Sequence, residues 1–179
     1  MWQAELRVDN ETHVLHFRGH TYPCDRDVEA VQRWKDHALL LSSDTDCLSL
    51  WDMDGLVRLT RVGVYPQDLA VTEDTAVVCG GADGRLHLLN LPDLFEVAEY
   101  PAPGMPERLC LRENMAYVLS LIPEPEVHTM LVAMSLLTGK WQEVRRFAGI
   151  PEAIAADETG LRVVTSEGVF RLQDREVGI

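Results

Sequence analysis

The sequence predicts an all-β fold built from repeated units of four strands. One module, an extended segment followed by an acidic or amide turn and an apolar run, occurs four times, beginning at Ala30, Leu69, Leu109 and Ile154. The matching turn residues are spaced by 38, 40 and 45 positions and are Asp36, Asp74, Asn114 and Thr159. This spacing is close to the length of a four-stranded β-propeller blade. We therefore predict a propeller with about four blades in this chain.

Within each repeat, stretches of alternating apolar and polar residues are separated by Gly and Asp, which is typical of strands joined by tight turns. In the first repeat, CLSLW leads through Asp54 and Gly55 into LVRLTRV. The single domain, 1–179, divides into blade repeats at 27–64, 65–104, 105–149 and 150–179. The third repeat carries an insertion, IPEPEV, that we expect to be an exposed loop. In the fourth repeat we expect the outer strand to be short or missing.

Proline precedes the later three repeats, at Pro66, Pro106 and Pro151. Because proline has no backbone N–H, we expect each one at the first residue of an innermost strand or in the loop before it. The amino-terminal segment 1–20 contains a stretch similar to the module, and we interpret it as an isolated hairpin. Segment 27–38 could alternatively form a helix, but its counterparts in the other repeats contain β-branched and turn residues.

Composition and charge restrict the classes of function. The chain has 179 residues, of which 46% are hydrophobic, enough for a buried core. Its 16 Lys and Arg against 29 Asp and Glu give a formal charge of -13, which argues against nucleic acid as a partner. The sequence has no signal-peptide pattern and no long apolar segment, so we predict a cytoplasmic protein without a membrane partner. Its cysteines are too widely spaced for a zinc ribbon and are predicted to be reduced thiols.

No motif for catalysis, metal or cofactor binding stands out. His13 and His16 would face opposite sides of a strand, so they cannot easily share one metal with His20. Asp52, Asp54 and Gly55 begin like a calcium loop, but the later ligands of such a loop are missing, and a hairpin turn explains them better. No serine lies in a glycine-flanked nucleophile elbow. We therefore predict neither catalytic residues nor a metal or cofactor.

Two stretches resemble known propeller repeats. LSLWDMDG, around Trp51 and Asp52, is similar to the strand that ends a WD40 blade, and VAMSLLTGKWQEV is similar to the turn of YVTN-type and quinoprotein-like repeats. The Gly-His half of the WD signature is absent, and the Trp-Asp pair occurs once. The resemblance covers nearly the whole chain from Asp27. It implies a binding platform more often than an enzyme.

A propeller needs its first and last blades to meet, since an open end leaves an unpaired sheet edge. Four blades are at the low end of the known range, so we predict a homodimer in which two chains close an eight-bladed ring across a two-fold axis. The hairpin in 1–20 could then complete a blade of the partner chain. Two alternatives are a closed monomer and a half-ring that assembles with a different propeller subunit.

The candidate ligand or partner face consists of the loops that lead into the innermost strands and of the loops between second and third strands. Its candidate residues are Tyr65, Gln67, Asp68, Glu107, Arg108, Glu124, Glu126 and Glu152. The favoured hypothesis is a non-catalytic module that presents this acidic face to a protein or peptide. The alternative is a lactonase-like propeller enzyme, with carboxylates such as Asp68, Glu107 and Glu152 holding a divalent metal in the central channel.

Overall fold

The computed structural model describes residues 5–177, which form five antiparallel sheets. The first sheet contains β1 (Leu6–Asp9), β2 (Val14–Phe17) and β3 (His20–Pro23). The second contains β4 (Val28–Trp34), β5 (His37–Ser42), β6 (Cys47–Asp52) and β7 (Gly55–Arg61). The third contains β8 (Asp68–Val71), β9 (Thr75–Cys79), β10 (Arg85–Asn90) and β11 (Glu96–Pro101).

The fourth sheet contains β12 (Met105–Arg112), β13 (Met115–Ile122), β14 (His128–Ser135) and β15 (Trp141–Ala148). The fifth has three strands, β16 (Pro151–Asp157), β17 (Gly160–Thr165) and β18 (Gly168–Gln173), and is followed by the helical turn α1 (Asp174–Val177). Within residues 5–177, no helix is long and apolar enough to cross a membrane. The segment 27–38 thus holds β4 and the start of β5, and not a helix.

The two middle strands of each four-stranded sheet are buried on both faces. The clearest example is β5 with β6, in which Leu39, Leu41, Leu48 and Leu50 are fully buried. Such strands read as apolar runs because a neighbouring sheet covers each side. The outermost strands β7, β11 and β15 are mostly exposed, and charged residues on them protect the sheet edges.

Successive sheets pack face to face through four apolar clusters. Trp34 and Leu89 belong to the cluster between the second and third sheets, and Tyr117 and Val163 belong to the one between the fourth and fifth. The innermost strands β4, β8, β12 and β16 lie side by side in this order. This stack of radial sheets is the arrangement expected of a propeller. The described residues form five sheets where the sequence predicted about four blades and a hairpin, so neither that blade count nor closure into an eight-bladed ring is supported.

The first sheet is the clearest departure from the prediction. The predicted isolated hairpin has a third strand, β3, and packs on the second sheet through Leu15 and Phe17. Equivalent backbone hydrogen bonds, Cys24 N to His13 O (2.9 Å) and Val62 N to Asp46 O (2.8 Å), occur after β3 and after β7. Therefore β1, β2 and β3 correspond to the second, third and fourth strands of a complete sheet. Among the described residues, no strand pairs with the free edge of β1, where the innermost strand of a complete sheet would lie.

The tryptophans differ in their roles. Trp34 is buried and donates from Nε1 to the Glu73 carbonyl at 2.8 Å, and Trp51 donates to Ser49 Oγ at 2.8 Å. Both are therefore core residues with a satisfied indole N–H. Trp141, by contrast, is 45% exposed because it starts the outermost strand β15.

Candidate functional site

Five of the predicted residues come together at one end of the innermost strands. Gln67 and Asp68 stand at the start of β8, Glu107 and Arg108 lie near the start of β12, and Glu152 lies near the start of β16. Because these strands are adjacent and begin at the same end, their first residues form one surface. We call Gln67, Asp68, Glu107, Arg108 and Glu152 the inner-strand cluster.

Arg108 connects the members of the inner-strand cluster. Its Nε donates to the Glu152 carbonyl at 2.8 Å, and its Nη1 donates to the Glu107 carbonyl at 2.7 Å. A longer contact of 3.5 Å joins Nη1 to the Gln67 carbonyl. The guanidinium therefore joins the fourth sheet to the fifth and lies against the third. Its donors are used on backbone carbonyls, and not on the neighbouring carboxylates.

Asp68 is a structural carboxylate. Its Oδ1 accepts from the backbone N–H of Leu69 at 2.9 Å, and its Oδ2 accepts from that of Leu109 at 2.9 Å. Burial raises the pKa of the Asp68 carboxyl, although both N–H groups and the charge of Arg108 oppose this shift. The side chain thus joins β8 to β12 and has no oxygen free of a backbone donor.

Glu107 is the carboxylate in the cluster that is open to a ligand. It is half-buried, and burial raises its pKa while the charge of Arg108 works in the opposite direction. Within residues 5–177, the structure gives this carboxylate no hydrogen bond and no salt bridge. The same holds for the side-chain carboxylate of the exposed residue Glu152. The cluster therefore presents two unpaired acceptor groups on one surface.

Two thiols lie close to the cluster. Cys79 is fully buried, and burial together with the nearby charge of Asp68 raises its pKa well above the ordinary value. For the same reasons the pKa of Cys110 rises to about 12. Thiols of this kind stay protonated at neutral pH and are poor nucleophiles. Cys79 is therefore a packed core residue.

The remaining predicted site residues lie apart from these contacts. Tyr65 is 63% exposed, and its backbone N–H donates to Asp46 Oδ1 at 2.8 Å. Glu124 and Glu126 lie in the exposed loop between β13 and β14, where the Glu126 carbonyl accepts from His128 Nδ1 at 2.8 Å. In the described chain, no hydrogen bond joins this loop to the inner-strand cluster. The predicted face is thus a compact cluster with separate surrounding loops.

Sequence reasoning missed a buried histidine on the third strand of the third sheet. His87 is 5% exposed, its Nε2 lies 2.8 Å from Asp83 Oδ2, and its Nδ1 lies 2.6 Å from Glu96 Oε2. Gly63 closes over it, since a Cβ there would stand 3.3 Å from His87 Nε2 and 3.3 Å from Asp83 Oδ2. A polar residue in the apolar run RLHLLN was the available signal, because a buried histidine requires partners.

Comparison with known proteins identifies the fold alone. No family model and no curated protein sequence matches this chain. The computationally designed Ika4 protein is 14% identical over 81% of this chain and 91% of its own, with a TM-score of 0.64. U3-55K is 12% identical over 93% of this chain and 59% of its own, with a TM-score of 0.72. A streptogramin B lyase is 12% identical over 92% of this chain and 63% of its own, with a TM-score of 0.69.

These likenesses, together with the stacked sheets, define the class: the chain has a β-propeller fold. At this level of identity, the roles of individual residues in these proteins cannot be transferred to this chain. No family model supports the narrower resemblance to WD40 and YVTN-type repeats. The chain spans about three fifths of the length of U3-55K and of the lyase. The similar structures thus include U3-55K and an enzyme, a streptogramin B lyase.

Proposed function

We propose that this protein is a non-catalytic binding module whose inner-strand cluster receives a basic segment of a protein or peptide partner. The observation that carries the proposal is the half-buried, unpaired carboxylate of Glu107 on β12, with the exposed, unpaired carboxylate of Glu152 on the adjacent strand β16. A lysine or arginine side chain from a partner would supply the cation that both groups lack. Hydrogen bonds between ionised partners are among the stronger ones in proteins.

The balance of charge favours a cationic partner. Three carboxylates, Asp68, Glu107 and Glu152, stand in the cluster against the single guanidinium of Arg108. Because Arg108 donates to backbone carbonyls, it compensates these charges only through space. The formal charge of -13 on the whole chain adds a long-range attraction for basic segments, which salt would weaken.

The contacts are less favourable for a metal-dependent enzyme at this position. Both oxygens of Asp68 already accept backbone hydrogen bonds, and a metal would have to displace them. In the described part of the chain, Asp68, Glu107 and Glu152 do not form a group of ligand atoms close enough to share one ion. The lactonase-like alternative therefore has no supporting geometry.

The test measures peptide affinity by fluorescence anisotropy at low salt, with a labelled oligo-lysine peptide and an oligo-glutamate peptide as the charge control. We expect the full chain to bind the lysine peptide and not the glutamate peptide. The substitution Glu107→Gln keeps the shape of the side chain and removes its charge. We expect it to weaken binding about tenfold, which corresponds to about 1.4 kcal/mol.

Glu158→Gln is the matched control, because Glu158 is an exposed residue in the turn between β16 and β17, at the opposite end of β16 from Glu152. It makes the same change in net charge at a distance from the cluster. If Glu107→Gln and Glu158→Gln weaken binding equally, the effect is only one of overall charge. The proposed site would then be wrong.

A further inference from the structure

The surroundings of His87 require a cation. One neutral imidazole carries one proton, yet both ring nitrogens of His87 face a carboxylate oxygen, at 2.6 Å from Glu96 and 2.8 Å from Asp83. If Nε2 donates its proton to Asp83, the lone pair on Nδ1 points at Glu96. Two lone pairs at 2.6 Å repel each other unless a positive charge lies between or beside them. That charge is a second proton or a metal ion.

A third ligand stands at the same place. Glu99 lies directly opposite His87 in the pairing of β10 with β11, and a β-bulge between Leu88 and Leu89 brings Glu96 onto the same side. Ligand atoms of His87, Glu96 and Glu99 all lie within 4.8 Å of one another. Both glutamates are partly exposed, with side-chain exposures of 41% and 47%. An ion could therefore reach the site from solvent.

We propose that His87, Glu96 and Glu99 form a Zn²⁺ site on the outer part of the third sheet. Imidazole nitrogen and carboxylate oxygen are ligands that zinc accepts, and water would occupy the fourth tetrahedral position. A metal-bound histidine usually donates its other ring N–H to a carboxylate, which fixes the tautomer of the ring. Asp83 is placed to accept this hydrogen bond from His87 Nε2. Gly63 and the surrounding core hold the imidazole in this orientation.

Zinc binding requires small movements of the two glutamates. With bonds of 2.0 to 2.2 Å, tetrahedral ligands stand about 3.4 Å apart. Glu96 Oε2, now 2.6 Å from His87 Nδ1, would therefore move away from the ring, whereas ligand atoms that are now up to 4.8 Å apart would move closer together. The partly exposed glutamates can make this movement by rotation of their side chains, whereas the buried imidazole stays fixed. Glu99 is now paired with Arg85, so zinc would replace this exposed salt bridge. Such a pair contributes little to stability.

This site is separate from the proposed peptide site. His87 lies on the third strand of its sheet and Glu99 on the fourth, whereas the inner-strand cluster belongs to the innermost strands. Zinc there would tie β10 to β11. The proposal therefore stands or fails independently of peptide binding.

The test titrates Zn²⁺ into the metal-stripped full chain by calorimetry and repeats the titration with the double variant E96Q/E99Q. We expect one ion per wild-type chain and at least a tenfold loss of affinity in E96Q/E99Q. The control E113Q/E158Q makes the same change in charge at two exposed turn residues and should bind as the wild type does. Equal affinity in the wild type and E96Q/E99Q would overturn the proposal.

The four free cysteines could also bind zinc, so a second measurement identifies the ligand atoms. X-ray absorption of the zinc-loaded wild type needs no variant. We expect only nitrogen and oxygen neighbours around the ion. A sulfur neighbour, or a wild type that binds no zinc, would contradict the proposal.

Discussion

Arg108→Ala is the most informative single substitution in the inner-strand cluster. It removes the hydrogen bonds of 2.8 and 2.7 Å to the carbonyls of Glu152 and Glu107. Hydrogen bonds from a charged group contribute about 1.5 to 3 kcal/mol each, and the half-buried setting places these at the lower end. We therefore expect the free energy of unfolding to fall by about 2 to 3 kcal/mol.

The substitution also removes the only cation of the cluster. Because the charge of Arg108 lowers the pKa of both Asp68 and Glu107, these carboxyls would become harder to ionise in the variant. The loss of stability should therefore be larger at neutral pH than at a pH well below the ordinary carboxyl pKa values, where both groups are protonated. Arg108→Lys retains the charge but not the planar set of donors, and we expect it to cost about half as much.

Equilibrium urea unfolding, followed by tryptophan fluorescence, measures these differences. Arg162→Ala is the matched control, because Arg162 is exposed on β17 and has no hydrogen bond or salt bridge in the described residues. It should change stability by less than about 0.5 kcal/mol. If Arg108→Ala costs no more than Arg162→Ala, the guanidinium does not connect the sheets as argued.

Three other predictions concern thiols, pH and assembly. Because burial raises the pKa of Cys79 and Cys110, both thiols should resist iodoacetamide at neutral pH in the native protein and react after unfolding. Mass spectrometry measures the labelling, and modification of either thiol in the native protein would contradict this prediction. Because the pKa of Asp68 is raised in the folded protein, its contribution to stability is present below the ordinary pKa of 3.8 and is lost as the pH rises through the folded value. The stability of Asp68→Asn relative to the wild type, measured by urea unfolding, should therefore increase from about pH 4 to 7. A difference that stays constant over this range would exclude the linkage. Homodimerisation stays a prediction, motivated by the open inner edge of β1, and light scattering should give twice the chain mass, whereas the mass of one chain would refute it.

The amino-acid sequence by itself determined the strands and the repeat, because both depend on local signals. Three such signals are the alternation in CLSLW, the Asp54-Gly55 turn and the spacing of Asp36 and Asp74. Each can be recognised within a few neighbouring residues or within one repeat. They predicted the second to fifth sheets and the exposed loop that contains Glu124. The phase of the first sheet was also present in the sequence, since LRVDNETHVLHF matches LLLSSDTDCLSL. The stretch was interpreted as an isolated hairpin because RGHTYPCDRD, which contains β3, was not recognised as a continuing strand.

Only the tertiary structure decided which polar residues meet. Arg108 and Glu152 are 44 positions apart and make contact because β12 and β16 pack side by side, and no local pattern encodes that contact. The raised pKa of Asp68 likewise depends on burial by neighbouring sheets, and His87 meets Glu96 because a bulge shifts the register of β11. Period and turn chemistry act along the chain, whereas charge, burial and hydrogen bonding act through space, which is why the fold class could be predicted and the site geometry could not.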